Sequence, residues 1–263
     1  MNWEELSTKD FDKCVKESDY TCILPIGVLE KHGDHLPLGT DMYIVTETAK
    51  AAAKVSSAVV FPYYFLGQIA EAKHVKGTIA ASHKLIMEAL LEICDEIHRN
   101  GFKKIYILNG HGGNEHFLPF FAQQFPGINR NYAVYTSFVH NLTDEQWDSV
   151  RKKSGVEDLG EHAGLSETAL LMYLRPDLVD MSVVKVSESQ SLERLKVIED
   201  LEVFTGFNWY AKFPHHFSGD PTESAKEHGK FLFNIMKNNT IKILNEIKND
   251  KISLELIKEY NKF

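Results

Sequence analysis

Lys104-Ile-Tyr-Ile-Leu108 runs directly into Asn109-Gly-His111-Gly-Gly-Asn114. The first five residues form a short apolar run and read as a buried strand. The glycines end that strand and let the backbone approach something closely. Asn114 reads as the N-cap of a helix that continues to Phe125 and stops at Pro126-Gly127. Strand, polar loop and helix in this order form the building unit of an α/β sheet.

The same alternation extends in both directions. Thr21–Ile26 (TCILPI), Ala58–Phe61 (AVVF) and Tyr132–Phe138 (YAVYTSF) read as further strands. Helices are expected at Asp41–Ala53 with Thr40 as N-cap, at Ser82–Asn100, at Ala163–Leu174, at Ser224–Ile247 and at Leu254–Tyr260. The pattern predicts a mostly parallel sheet with helices on both faces. No repeat, low-complexity tract or linker divides residues 1–263, so one domain is expected. Asp180–Pro214 is the least periodic stretch and is expected to form loops over a site. In such sheets ligands bind beyond the carboxyl ends of the strands, so the loops after the first and third strands should carry the chemistry.

Composition narrows the function. Hydrophobic residues at 43% and charged residues at 25% suit a soluble globular chain. A net charge of −8 disfavours non-specific binding to nucleic acid. The three cysteines, Cys14, Cys22 and Cys94, are odd in number, widely spaced and lack a CxxC, which points to a reducing compartment and away from a disulfide framework. The N-terminus has no apolar signal segment and no stretch reaches the length of a membrane span, so a cytoplasmic protein is expected. No G-x-S-x-G elbow and no GK[ST] occurs.

Three segments concentrate metal-ligating residue types. After the first strand comes Glu30-Lys-His32-Gly-Asp-His35-Leu-Pro-Leu-Gly-Thr-Asp41. In extended backbone Glu30 and His32 share a face, and the turn through Leu36–Gly39 can return Asp41 beside them. The second segment carries His111 among its glycines. The third, Gly160 to Thr168, carries His162 and Glu167 ahead of the apolar run Ala169–Met172, and a carboxylate there should be paired or metal-bound. Carboxylate and imidazole together suit a borderline divalent cation. Each segment also has a plainer reading. Asp41 and Glu167 suit the first turns of helices, a glycine-rich turn into a helix can bind an anion, and Glu30, His32 and His162 can be solvated loop residues. Lys31, His35 and His116 are candidates only for supporting roles behind the ligands.

Taken together, Glu30-x-His32-G-x-H-L-P-L-G-T-Asp41, N-G-His111-G-G-N and His162-A-G-x-x-Glu167-T resemble the creatininase (creatinine amidohydrolase) family. Weaker agreement runs through His74-x-x-x-Gly77-Thr78 and Gly219-Asp-Pro221, so the likeness spans about Ile23 to Gly229. The resemblance implies a three-layer α/β/α sandwich and a homo-oligomer, often a hexamer. It implies two divalent ions per chain, Zn²⁺ or Mn²⁺, with Fe²⁺ also compatible. Glu30, His32, Asp41, His111 and Glu167 would be the metal ligands, with Asp41 bridging the ions, Glu30 and His111 completing one, and His32 and Glu167 the other. His162 and Glu167 are the catalytic candidates, His162 as the proton-transfer group. The creatinine-hydrolysing branch has a ligating glutamate where this chain has Gly113, and tryptophans ahead of the His162 position where this chain has Glu157-Asp-Leu-Gly160, leaving Trp147 the nearest. The implied substrate is therefore a small molecule of the broader branch, which acts on formamides, cyclic or linear amides, peptides or a cyclic ketone. A metal-binding oligomer without catalysis is the remaining alternative.

Overall fold

A computed structural model describes residues 1–160 and 162–263. Its four strands are β1 (Thr21–Ile26), β2 (Val59–Val60), β3 (Lys104–Asn109) and β4 (Ala133–Phe138), all parallel and ordered β2-β1-β3-β4. Every residue of β1 and β3 is buried, as their unbroken apolar runs require of strands covered on both faces. Pro25 sits inside central β1 without cost to the ladder. Its carbonyl faces the β2 side, where β2 has already ended at Val60, and accepts from Tyr64 N–H instead, so the missing Pro25 N–H leaves no strand partner unpaired.

Side chains alternate to the two faces. Ile23, Tyr106 and Leu108 pack under α2 (Thr40–Ser56), α5 (Asp144–Ser154), α6 (Leu165–Leu174) and α9 (Lys226–Asn249). Cys22, Leu24, Ile26, Ile105 and Ile107 pack under α1 (Thr8–Glu17), α3 (His83–Arg99) and α4 (Asn114–Gln123). The result is the expected three-layer α/β/α sandwich. Two short helices, α7 (Lys196–Glu199) and α8 (Asn208–Lys212), punctuate the long connection before α9, and α10 (Ile252–Tyr260) lies by β4. The three cysteines are buried and free. No helix among the described residues is long and apolar enough to cross a membrane.

Several boundaries differ from expectation for local reasons. β2 is shorter than Ala58–Phe61 because Ala58 N–H is drawn back to Ala53 O at the end of α2 and Pro62 follows Phe61. Gly39, not Thr40, precedes α2; Thr40 is its first residue and its hydroxyl donates to Pro37 O (2.8 Å). Asn114 is likewise inside α4 instead of capping it. Helices α1 and α5 were not expected, since both are mostly polar, although α5 opens with a legible capping box of Thr143 and Gln146.

The register aligns the carboxyl ends of three strands: Ile26 pairs with Asn109, and Asn109 with Phe138. The loops leaving β1, β3 and β4 therefore start level and open on the same edge of the sheet. Within the α2 layer, α6 and α9 cross so closely that a Cβ on Gly229 would lie 1.8 Å from Ala169 O. Gly→Ala inside a helix normally stabilises by about 1 kcal/mol. Here the overlap with backbone reverses the sign, and Gly229→Ala should destabilise by about 1–3 kcal/mol. Urea denaturation of the metal-free protein checks this; a midpoint unchanged or raised contradicts the crossing.

Candidate metal centre

The loop after β1 folds back on itself through Glu30 N–H to Leu38 O (3.0 Å), and this closure returns the chain to the start of α2. Asp41 in its first turn thereby faces Glu30 and His32. The loop after β3 is held by its two asparagines. Asn109 Nδ2 donates to His111 O (2.8 Å), Asn109 Oδ1 accepts from His111 N–H (3.1 Å) and from Asn114 Nδ2 (3.1 Å), and Asn114 Oδ1 accepts from Gln68 N–H (2.8 Å). The glycines permit two close approaches. A Cβ on Gly110 would lie 2.9 Å from Asp41 O, and one on Gly113 would lie 2.5 Å from His111 Nε2 and 2.8 Å from Gln68 O. A glutamate at position 113 would thus displace the bond that orients His111.

Two imidazoles are arranged in the same way. His111 Nε2–H donates to Gln68 O (2.8 Å), so its Nδ1 carries the lone pair; that atom lies 2.7 Å from Glu30 Oε1 and 3.2 Å from Asp41 Oδ2. His32 Nδ1–H faces Glu30 O (3.3 Å), which leaves Nε2 3.0 Å from Asp41 Oδ1 and 3.7 Å from Glu167 Oε2. Each lone pair therefore points at carboxylate oxygens, and each oxygen of Asp41 serves one imidazole. Glu30 Oε1, His32 Nε2 and Asp41 Oδ2 are buried without a hydrogen-bond partner. Acceptors facing acceptors out of water repel unless a proton or a cation lies between them. The donor atoms of Glu30, Asp41 and His111 lie within 4.8 Å of one another, as do those of His32, Asp41 and Glu167, and those of Glu30, His32 and His162. Oxygen and nitrogen donors in these numbers fit a divalent cation.

Without a cation, protons fill the gaps. Burial disfavours the charged form of His32, but the Asp41 and Glu167 carboxylates outweigh it and push its pKa up to about 10. Burial likewise opposes, and Glu30 and Asp41 override, so that His111 is raised well above its ordinary value. Glu30 is fully buried, which favours its neutral form, yet His111, His162 and His216 together hold it well below the usual carboxylate range. Glu167 is pushed up to about 7 by burial, partly offset by His32; its Oε2 also accepts from Ala163 N–H (2.6 Å).

His162 lies over His32, ring centroids 4.1 Å apart. Its Nε2–H donates to Lys31 O (2.8 Å), so Nδ1 is its open, proton-accepting atom. Burial, then the charge on His32, holds its pKa well below the ordinary value. Lys31 thus touches the centre through its carbonyl, while its ammonium pairs with Asp34 (3.1 Å) and Glu188 (3.7 Å). His35 points away: Nε2–H donates to Thr168 Oγ1 (2.9 Å), whose hydroxyl donates to Ala163 O (3.2 Å), joining the β1 loop to the start of α6. His116 lines the cavity mouth against Phe204, ring centroids 6.3 Å apart.

Glu30, Asp41, His111, His116, His162 and Glu167 open on one cavity of about 1020 Å³, with Trp147, Phe138 and Trp209 in its walls. Two histidines in it escaped the sequence reading. His140, just past β4, has a buried Nε2 without a partner and is pushed down to about 4 by burial. His216 donates from Nε2 to Glu30 Oε2 and accepts from Trp209 Nε1–H (2.9 Å) at Nδ1. The signal was there in His215-His216 just ahead of Gly219-Asp-Pro221, but a histidine pair in an aperiodic loop has no readable partner.

A profile of the creatininase family (creatinine amidohydrolase) matches residues 4–244. The creatinine amidohydrolase of Pseudomonas putida is 28% identical over 200 residues, 68% of this chain and 74% of that protein. The mycofactocin precursor peptide peptidase of Mycobacterium ulcerans is 25% identical over 220 residues, 80% of this chain and 79% of its own. A solved manganese creatininase superposes with a TM-score of 0.75 at 21% identity, covering 93% of this chain and 97% of that one. With the family profile spanning all four strands and all three polar segments, this chain belongs to the creatininase family.

Proposed function

We propose that the chain is a metal-dependent amidohydrolase that cleaves a carbon–nitrogen bond in a small amide, with two divalent ions held by Glu30, His32, Asp41, His111 and Glu167. The observation that carries this is the pair of imidazole lone pairs aimed at opposite oxygens of Asp41. Asp41 would be shared, with Glu30 and His111 on one side and His32 and Glu167 on the other. Zinc and manganese both suit this donor set, and iron is compatible. When bound, such ions supply Lewis acidity for a carbonyl oxygen and make hydroxide available near neutral pH.

The chain's own residues do the rest. The buried carboxylates exclude further anions and hold the cations out of bulk water. His162 takes up a proton at Nδ1 while Lys31 O keeps its Nε2–H fixed, and returns that proton to the departing nitrogen. Trp147, Phe138 and Trp209 offer flat apolar surface to a cyclic amide or formamide. Gly113, whose Cβ would collide with His111, argues for a substrate other than creatinine, as it leaves Glu167 to supply the carboxylate. The reading includes a single domain, a cytoplasmic setting, which the free buried cysteines favour, and a homo-oligomer such as a hexamer, for which exposed Leu201, Phe204 and Phe207 offer apolar surface.

Elemental analysis should find about two ions per chain. Asp41→Ala should lose both and His111→Ala mainly one; retention of both ions in Asp41→Ala refutes the sharing. His162→Ala should keep the ions and lose turnover by about 10²–10⁴-fold, and intact turnover removes its assigned role. His32 and His111 hold protons at neutral pH in the metal-free chain and must release them to bind. Loading should therefore weaken as pH falls and release about two protons per chain at pH 7, seen by calorimetry in buffers of different ionisation enthalpy. Formamides, lactams, dipeptides and inososes, each with and without chelator, test the bond: chelator-sensitive amide hydrolysis is expected, and cleavage of the ring ketone alone overturns the assignment.

A further inference from the structure

We infer that His216 is a positioning residue that presents a single oxygen of Glu30 to the ion shared with His111 and Asp41, and that Trp209 sets its tautomer. This rests on the metal centre proposed above. An indole N–H only donates, so the contact from Trp209 Nε1 (2.9 Å) requires a lone pair on His216 Nδ1. The ring hydrogen therefore sits on Nε2 and is given to Glu30 Oε2. With Oε2 engaged, Oε1 is the free oxygen, 2.7 Å from His111 Nδ1 and without a hydrogen-bond partner. His216 is 2% exposed and Glu30 is fully buried, so water does not compete for the bond.

The backbone shows that His216 is placed, not incidental. Its φ of 53° lies in the left-handed region that residues with a Cβ seldom adopt. Its N–H is fixed to Phe213 O (2.9 Å), and two residues on, Ser218 exchanges both backbone hydrogen bonds with His162 (2.9 and 3.2 Å). The loop carrying His216 is thus tied to the proton-transfer candidate. Trp209 also meets His162 edge-on, ring centroids 5.8 Å apart, and lines the cavity. One line of contacts leads from the cavity wall through Trp209 and His216 to Glu30, where groups that support a ligand commonly tune metal affinity.

The test titrates chelator-stripped full-length protein with Zn²⁺ and with Mn²⁺ against a chromophoric competitor, for the wild type, His216→Leu, His216→Gln and Trp209→Phe. Circular dichroism and thermal unfolding of the metal-free proteins report folding separately. His216→Leu should weaken one of two binding events by about 10–100-fold and leave the other unchanged. His216→Gln, which keeps an N–H donor, should recover most of that loss, and Trp209→Phe should weaken the same event by less than about tenfold. Wild-type binding by folded His216→Leu, even with lowered metal-free stability, overturns the inference, as does equal weakening of both events. If His216→Leu does not fold, Trp209→Phe with unchanged affinity overturns it. A wild type that binds no divalent ion refutes the metal centre itself; a loaded wild type with an unaffected His216→Leu refutes this inference alone.

Discussion

The carboxylate of Asp41, 2% exposed and flanked by an imidazole at each oxygen, is the constraint around which the rest is arranged. Three carboxylates gathered out of water repel one another strongly unless positive charge is interposed. Every nearby feature serves that requirement. His32 and His111 each spend one ring nitrogen on a backbone carbonyl, which fixes the tautomer and turns the other nitrogen inward. His216, its tautomer set by Trp209 Nε1–H, holds Glu30 by donating Nε2–H to Oε2. The protein assembles a concentration of negative charge that is tolerable only with protons or cations inside it, and that requirement couples the state of the site to the state of its ligands.

The fold makes such a cluster affordable by distributing it over rigid parts. Level carboxyl ends of β1, β3 and β4 deliver three loops to one edge of the sheet. The first turn of α2 brings in Asp41, and the start of α6 brings in Glu167. None of these segments holds the charge alone. The tight turns after β1 and β3 are closed by main-chain and asparagine hydrogen bonds. On the cavity side, Trp147, Phe138 and Trp209 line the same space onto which Glu30, Asp41, His111, His162 and Glu167 open.

The profile match reads order and spacing along the chain. The structure reads lone pairs, orphaned oxygens and distances. Position 113 shows why both are needed. The chain has a glycine at this position, and a Cβ there would strike His111 and the carbonyl that orients it.

Periodicity along the chain was enough to establish the parallel α/β sandwich, because strands buried on both faces must be continuous apolar runs and their alternation with helices admits few topologies. Glycines and polar residues directly after β1 and β3 made Glu30, His32, Asp41 and His111 candidates, while the choice of these residues together with His162 and Glu167 came from the resemblance of the three segments to the family. Helix α5 left little trace, since a mostly polar helix presents a weak pattern, whereas α1 carried a short but legible helical spacing in Phe11, Cys14 and Val15 that went unread. What only the tertiary structure decided was which atoms face which: the two lone pairs on Asp41, Asn114 locking the β3 loop instead of capping a helix, and His216 and Trp209 arriving from some 180 residues away along the chain to hold Glu30. Those contacts depend on side-chain direction and on loops without period, and neither is encoded in any local stretch of residues.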